Sequence, residues 1–126
     1  MNSILILDDE AAVRQSLVDH FEDRCWRTLE AGSAEEAVKL LGLEQPDAAI
    51  VDIRLPGMDG NDFIRQLNQR STSMVFVICT GSPEYLVPID LQQLPNVSSR
   101  LIKKPVTNLD ELEAELLRLM KNRGTQ

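Results

Sequence analysis

The sequence is poor in the residues that build metal cages, covalent frameworks and membrane spans. Its 126 residues include one histidine, His20, and two cysteines, Cys25 and Cys79. A solitary histidine argues against a multi-histidine metal site. His20 falls within the first helical pattern and reads as a surface residue, neither phosphodonor nor metal ligand. Two distant cysteines cannot make a disulfide framework or a CxxC centre. Cys79 ends an apolar run and reads as a small buried residue, which points to a reducing, cytoplasmic setting. No apolar run approaches the roughly 20 residues of a membrane span. Met1-Asn2-Ser3 lacks the basic start of a signal peptide. No Lys/Arg cluster stands out, and 13 basic residues face 20 acidic ones for a net charge of −7. That balance disfavours nucleic acid and anionic membranes alike.

What is present is an alternation of strand and helix patterns in a length that fits one domain. Ile4–Leu7 is a four-residue apolar run that stops at Asp8-Asp9-Glu10. Val13, Leu17 and Phe21 then recur at helical spacing, with the preceding acids near the helix N-terminus. Trp26–Ala31 is a weaker strand pattern. Ser33-Ala34-Glu35-Glu36 matches a capping box, Ala37, Val38 and Leu41 continue the apolar face, and Gly42 is a natural stop. Ala48–Val51 is apolar without alternation, as in a strand buried on both faces, and it ends in Asp52. A Pro56-Gly57 turn leads into a third helix marked by Phe63, Ile64 and Leu67. Met74–Cys79 is six apolar residues ending at Thr80-Gly81-Ser82.

Residues 83–96 carry Pro83, Pro88 and Pro95. A proline inside a helix costs about 3 kcal/mol, so the pattern predicts at most a short helix near Pro88–Gln93. Leu101-Ile102 is a short strand before Lys103-Lys104-Pro105. A last helix presents Leu109, Leu112, Leu116 and Leu119 on one face, with Thr107 or Asn108 as its cap. The order is β-α five times over, with an irregular or shortened fourth helix. That predicts an α/β fold, a doubly wound five-stranded parallel sheet. Residues 1–122 form the domain and 123–126 a tail or the start of a linker.

In such a sheet the strand ends share one edge, where open α/β folds bind ligands. Asp8, Asp9, Asp52, Thr80 and a lysine therefore converge. Clustered carboxylates raise one another's pKa unless a cation sits among them, and hard oxygen ligands suit Mg²⁺. An aspartate can be a phosphoryl nucleophile, a lysine can neutralise the transferring group, and the Thr80 hydroxyl can bond a phosphoryl oxygen. The pattern matches phosphoryl transfer to a carboxylate.

Asp8-Asp9 after the first strand, Asp52 before Leu-Pro-Gly-Met-Asp-Gly, Thr80-Gly81 and Lys104-Pro105 together resemble response-regulator receiver domains. The resemblance runs from Ile4 to about Met120. It implies the flavodoxin-like strand order 2-1-3-4-5. It implies Asp52 as acceptor from a phosphohistidine on a sensor histidine kinase or histidine phosphotransfer protein, with the message passed to a downstream protein or fused output domain. It implies Mg²⁺ held by Asp9 directly, Asp8 largely through water, Asp52 and the backbone carbonyl of Arg54. Lys104 would contact the phosphoryl group and Thr80 would relay the change; preferring Lys104 to Lys103 rests on the Lys-Pro order alone, and the Lys104–Pro105 bond resembles the family's cis peptide. Two departures touch the relay. The position three before Lys104 usually carries an aromatic and here is Leu101, and the Thr80–Lys104 interval is long.

The competing readings each lack something. A haloacid-dehalogenase-type phosphatase needs a second acid two after the nucleophile, where Arg54 stands. A flavodoxin-like cofactor site wants a Ser/Thr/Gly-rich loop where Asp8-Asp9-Glu10 has the wrong charge. A receiver-like docking module that signals without phosphate ranks second. The leading reading is a switch that catalyses its own phosphorylation and dephosphorylation and turns over no external substrate.

Overall fold

The computed structural model describes residues 1–70 and 72–123; the tail expected over 123–126 lies, from residue 124 on, outside them. The chain alternates strictly: β1 Ser3–Leu7, α1 Ala11–Asp23, β2 Arg27–Ala31, α2 Ala34–Leu41, β3 Ala48–Asp52, α3 Gly60–Gln69, β4 Val75–Thr80, α4 Ile89–Gln92, β5 Ile102–Lys103 and α5 Leu109–Arg123. All strand pairs are parallel, in the order β2-β1-β3-β4-β5.

Period-two alternation divides the sheet between two cores. Leu5, Leu7, Ala49, Val51, Phe76 and Ile78 face α2, α3 and α4. Ile4, Ile6, Ala48, Ile50, Val75 and Val77 face α1 and α5. The central strands are buried on both sides, which is why they read as unbroken apolar runs.

Local chemistry sets the helix ends. Ser33 caps α2 by accepting from the Glu36 amide at 3.1 Å, and the Glu36 carboxylate accepts from the Gly32 amide at 3.3 Å. Asp59 caps α3 at 2.9 Å, and Asn108, not Thr107, caps α5 at 2.9 Å. Gly42 closes α2 with right-handed backbone, φ −70°, so its left-handed freedom is unused. No acid lies in the first turn of α1: Asp8 and Asp9 precede it, and Glu10 occupies its N-cap without a side-chain cap bond.

The end of α1 was not legible. The Trp26 amide bonds the Phe21 carbonyl at 2.9 Å and the Cys25 amide bonds Glu22 at 3.0 Å. This is a Schellman closure, normally built on glycine. Cys25 occupies its left-handed position at φ 65°. Trp26 is thereby turned inward, edge-on to Phe21, and β2 begins one residue later than the sequence pattern suggested.

The fourth helix is reduced to four residues with Pro88 at its N-cap, within the short helix the prolines allowed. The chain then returns irregularly. Val97 bridges Phe76, and Ile102 pairs with Cys79. Three steps along β4 thus match five along the returning chain, and two residues are bulged out. The long Thr80–Lys104 interval contains this bulge. β5 is accordingly Ile102–Lys103 rather than Leu101-Ile102, and Leu101 lies just before it, packed against the core on the α2–α4 side. The buried Ser98 hydroxyl pins the bulge: it accepts from the Arg100 amide at 2.9 Å and donates to the buried Glu115 of α5. Arg118, at 2.8 Å, also binds Glu115 and holds its carboxyl below the usual range.

Two stability effects follow. Ser98→Ala leaves the Glu115 carboxylate and the Arg100 amide short of a partner and costs about 1–3 kcal/mol in urea unfolding, whereas the exposed Ser99→Ala stays within about 0.5 kcal/mol. Cys25→Gly relieves a left-handed residue that costs about 1–2 kcal/mol. After glycine's own entropy cost of about 0.5–1 kcal/mol, it raises stability by up to about 1.5 kcal/mol in the same assay.

Candidate functional site

Parallel pairing brings the carboxyl ends of β1, β3, β4 and β5 to one edge. Asp8 directly follows β1, Asp52 is the last residue of β3 and Thr80 the last of β4; they are 2%, 4% and 1% exposed, so these polar groups are interior ones. Lys104 leaves β5 with its amide bonded to the Thr80 carbonyl at 2.9 Å, and its peptide with Pro105 is cis. The turn after Asp52 passes very close to α3. A methyl group on residue 60 would sit 2.2 Å from the Asp52 carbonyl oxygen, so Gly60 is required there. Gly57 turns the chain at φ 77° and leaves room for Glu35, which accepts from the Met58 amide at 3.2 Å.

The Lys104 ammonium lies among three carboxylates: Asp8 at 2.8 Å, Asp52 at 3.2 Å and Glu10 at 3.3 Å. Lys103 points elsewhere, donating to the Pro83 carbonyl at 3.3 Å, so Lys104 is the lysine that reaches the acids. Burial alone would lower the Lys104 pKa. The hydrogen bond and charge of Asp8, then the charge of Asp52, outweigh it and hold the ammonium above its ordinary value. Burial pushes Asp52 up to about 6; the Asp8 charge adds to this, Lys104 opposes it, and a hydrogen bond with Asp9 also raises it. Burial likewise lifts the Cys79 thiol to about 12, so the buried cysteine next to the site is inert near neutrality.

A cavity of about 260 Å³ opens over Asp52, lined by Asp9, Glu10, Asp52, Arg54, Thr80, Gly81, Ser82 and Lys104. Thr80 Oγ1 accepts from the Ser82 amide at 3.1 Å, and the exposed Arg54 guanidinium donates to Ser82 Oγ at 3.3 Å. One oxygen from each of Asp8, Asp9 and Glu10 falls within 4.8 Å of the others. All these donors are hard oxygens, a set that fits Mg²⁺ and not a softer metal. Of the residues singled out from the sequence, Asp9, Asp52, Arg54, Thr80 and Lys104 thus line one cavity, and the buried Asp8 meets it through Lys104.

Sequence reasoning missed three participants. Glu10 is a third acid on Lys104, visible only as part of an acidic run. Ser82 joins Thr80 to Arg54. Arg14, one helical turn after Glu10, donates to the Asp8 carbonyl at 2.7 Å. His20 also needs correction, because it is not a surface residue. Its side chain is 13% exposed, stands edge-on to Phe21, and places a buried Nε2 3.7 Å from Glu113 of α5 without a hydrogen bond. Arg24 pairs there with both Asp110 and Glu113 and offsets one of the two negative charges of that cluster.

The family model described as the response regulator receiver domain matches residues 4–116. The KDP operon transcriptional regulatory protein KdpE of Escherichia coli is 36% identical over 84 residues, covering 67% of this chain and 37% of that protein. This chain spans between 32% and 42% of the length of several such curated relatives. Among solved structures, the signal receiver domain of an HD domain-containing protein from Pseudomonas fluorescens superposes with a TM-score of 0.86 at 22% identity, over 99% of this chain and 98% of that one. The response regulator TrrA of Thermotoga maritima, solved in complex with Mg²⁺ and BeF, gives 0.80 at 24% identity, over 94% and 99%. With five parallel strands in the order 2-1-3-4-5, carboxylates and a lysine at their carboxyl edge and a family match across nearly its whole length, the chain belongs to the response regulator receiver domains of two-component systems.

Proposed function

We propose that this receiver is a Mg²⁺-dependent switch whose phosphoryl acceptor is Asp52. The observation that carries the reading is the placement of one buried carboxylate, held at the floor of an open cavity and touched by a lysine. In the transfer, an Asp52 oxygen bonds phosphorus as the phosphorus–nitrogen bond to a partner's histidine breaks. The imidazole leaves with the bonding pair. Lys104 lies where charge collects on the phosphoryl oxygens, and the Thr80 hydroxyl is close enough to the cavity to bond one of them. Asp9, Asp52 and the Arg54 carbonyl would hold Mg²⁺, with Asp8 behind them through water. When bound, the ion supplies positive charge that the four carboxylates lack.

The phosphohistidine donor is a sensor kinase or phosphotransfer protein, and the receiver unit extends to residue 122. It acts in the cytoplasm on a downstream protein or an attached output domain and turns over no external substrate. A phosphate-independent docking module is the second reading, favoured by Leu86 and Ile89, which are 82% and 71% exposed beside the shortened α4.

Intact mass after incubation with acetyl phosphate separates the two. The switch gains one phosphoryl group only with Mg²⁺, and Asp52→Asn gains none. No gain under conditions that label another receiver, with partner binding unchanged in Asp52→Asn, supports the docking module.

The raised Asp52 pKa gives a pH dependence. Only the carboxylate attacks, so the labelling rate at low Mg²⁺ rises with pH through about 6, and saturating Mg²⁺ moves that midpoint downward by favouring the ionised form. The stability effect has the opposite sense. An acid whose folded pKa lies above its unfolded value stabilises the fold at low pH, and the contribution is lost as pH rises through about 6. Metal-free protein should therefore lose stability across that range, and Asp52→Asn should flatten the curve; a wild-type profile identical to the mutant's would contradict the assignment.

A further inference from the structure

We infer that Arg14 is a positioning residue for the acidic pair: by holding the Asp8 carbonyl it fixes the direction of the Asp9 carboxylate. The inference rests on the reading of Asp8, Asp9 and Asp52 as a Mg²⁺ site.

The β1–α1 turn is held at four points. The Asp8 amide donates to the Ala31 carbonyl of β2 at 3.1 Å, the Glu10 amide to Asp8 Oδ1 at 2.8 Å, and the Arg14 amide to the Glu10 carbonyl at 3.0 Å. The fourth point is the Asp8 carbonyl itself. β1 has ended at Leu7 and β2 at Ala31, so β2, whose Ala31 carbonyl takes the Asp8 amide, has no further strand residue to offer an amide in return. Among the described residues the Arg14 guanidinium meets it instead, Nη1 to oxygen at 2.7 Å. A second guanidinium nitrogen, Nε, is engaged by Glu30 of β2 at 3.3 Å, and the Arg14 side chain is only 23% exposed. The fork therefore spans from the β2 edge to the β1 end, a reach a lysine cannot copy with a single nitrogen.

The carbonyl that Arg14 holds belongs to the peptide joining Asp8 to Asp9. Fixing that peptide plane sets the direction in which Asp9, exposed at the cavity rim, projects its side chain. Asp9 itself has no ion pair with Lys104, unlike Asp8, Glu10 and Asp52. Apart from its hydrogen bond with Asp52, its placement follows the backbone, and Arg14 holds the carbonyl of the peptide that leads into it.

Charge and positioning predict opposite signs, which makes the role testable. If Arg14 acted only through its charge, removing that charge would tighten binding of a cation. If it positions the carboxylates, removal weakens binding, and loss of a group that orients a metal ligand typically costs 10- to 100-fold in affinity. The experiment is calorimetric titration of the whole chain with Mg²⁺, for wild type, Arg14→Met, Arg14→Lys and Glu30→Gln, with urea unfolding of each. The expected result is a dissociation constant raised roughly tenfold or more in Arg14→Met. Arg14→Lys, which keeps the charge and loses the fork, is raised as well, and Glu30→Gln is raised less. A folded Arg14→Met that binds Mg²⁺ as tightly as wild type, or more tightly, overturns the inference while leaving the Mg²⁺ site intact. So does a loss of stability with an unchanged dissociation constant. Failure of the wild type to bind Mg²⁺ defeats the underlying reading, and this one with it.

Discussion

Lys104 is, among the described residues, the one ammonium in contact with a pocket of carboxylates, and much of the structure serves to keep it there. At separations near 3–4 Å, a unit-charge contact in a partly buried site is worth on the order of 4 kcal/mol. Asp8 and Asp52 each gain such a contact with Lys104 and repel one another on a similar scale, while the contact of the exposed Glu10 is screened by water and worth far less. The acids outnumber the lysine, so the repulsion is not fully relieved. Burial first, and then this remaining repulsion from Asp8, keep Asp52 above the usual carboxylate range despite its ammonium partner. A site in this state has electrostatic energy to release when further positive charge is brought in, which is the property a metal-assisted phosphoryl acceptor needs.

The position of Lys104 depends in turn on an unusual return strand. β5 is only two residues long, and two residues can hold little by ladder bonds alone. Its support comes from α5, where the buried Glu115 receives the Ser98 hydroxyl and Arg118. On the other side, Arg65 of α3 grips Asp90 of the shortened α4 through two bonds, at 2.8 and 3.1 Å, and Tyr85 donates to Asn61 at 2.6 Å. The 83–96 segment is thus irregular but tied down on α3. An exposed ion pair of this kind contributes about 1 kcal/mol or less. The segment is therefore anchored to α3 by contacts of modest individual strength.

Legibility in the sequence followed burial. β1, β3 and β4 could be read outright because both of their faces are apolar, so their residues need no neighbour to explain them. Edge strands lack that signal: β2 reads only as a weak pattern and β5 as two residues, each beginning one residue after its pattern, and even β4, Val75–Thr80, lies one residue beyond the Met74–Cys79 run. α1 ends on Cys25 in a glycine's role, which no composition rule flags. In the sequence His20 reads as a surface residue, because its neighbour, Glu113, lies far along the chain on a helix that packs beside it only after folding. Ser98 and Glu115 were invisible for the same reason. At the site, the residue types and their strand-end positions were legible, and the roles came with the family resemblance. Arg14 escaped notice because its partner is a backbone carbonyl, and a backbone group leaves no mark in a sequence.

The size of the bulge before β5 shows how a sheet can absorb an insertion without losing its site. Side chains alternate along a strand with period two, so an odd insertion sends every later residue to the opposite face. Here the excess is two. Val97 and Phe76 lie on the α2–α4 side, and Ile102 and Cys79 on the α1–α5 side, so parity survives across the bulge. With one extra residue, Ile102 would face the wrong core. The chain would then have to expose it or shift register, carrying Lys104 away from Asp8 and Asp52 by about one residue spacing, roughly 3.3 Å. A contact of 2.8 Å does not survive that displacement. The long Thr80–Lys104 interval is therefore compatible with an intact acidic site because it is long by an even number, and because Ser98 and Glu115 bind the extra residues where the alternation is interrupted.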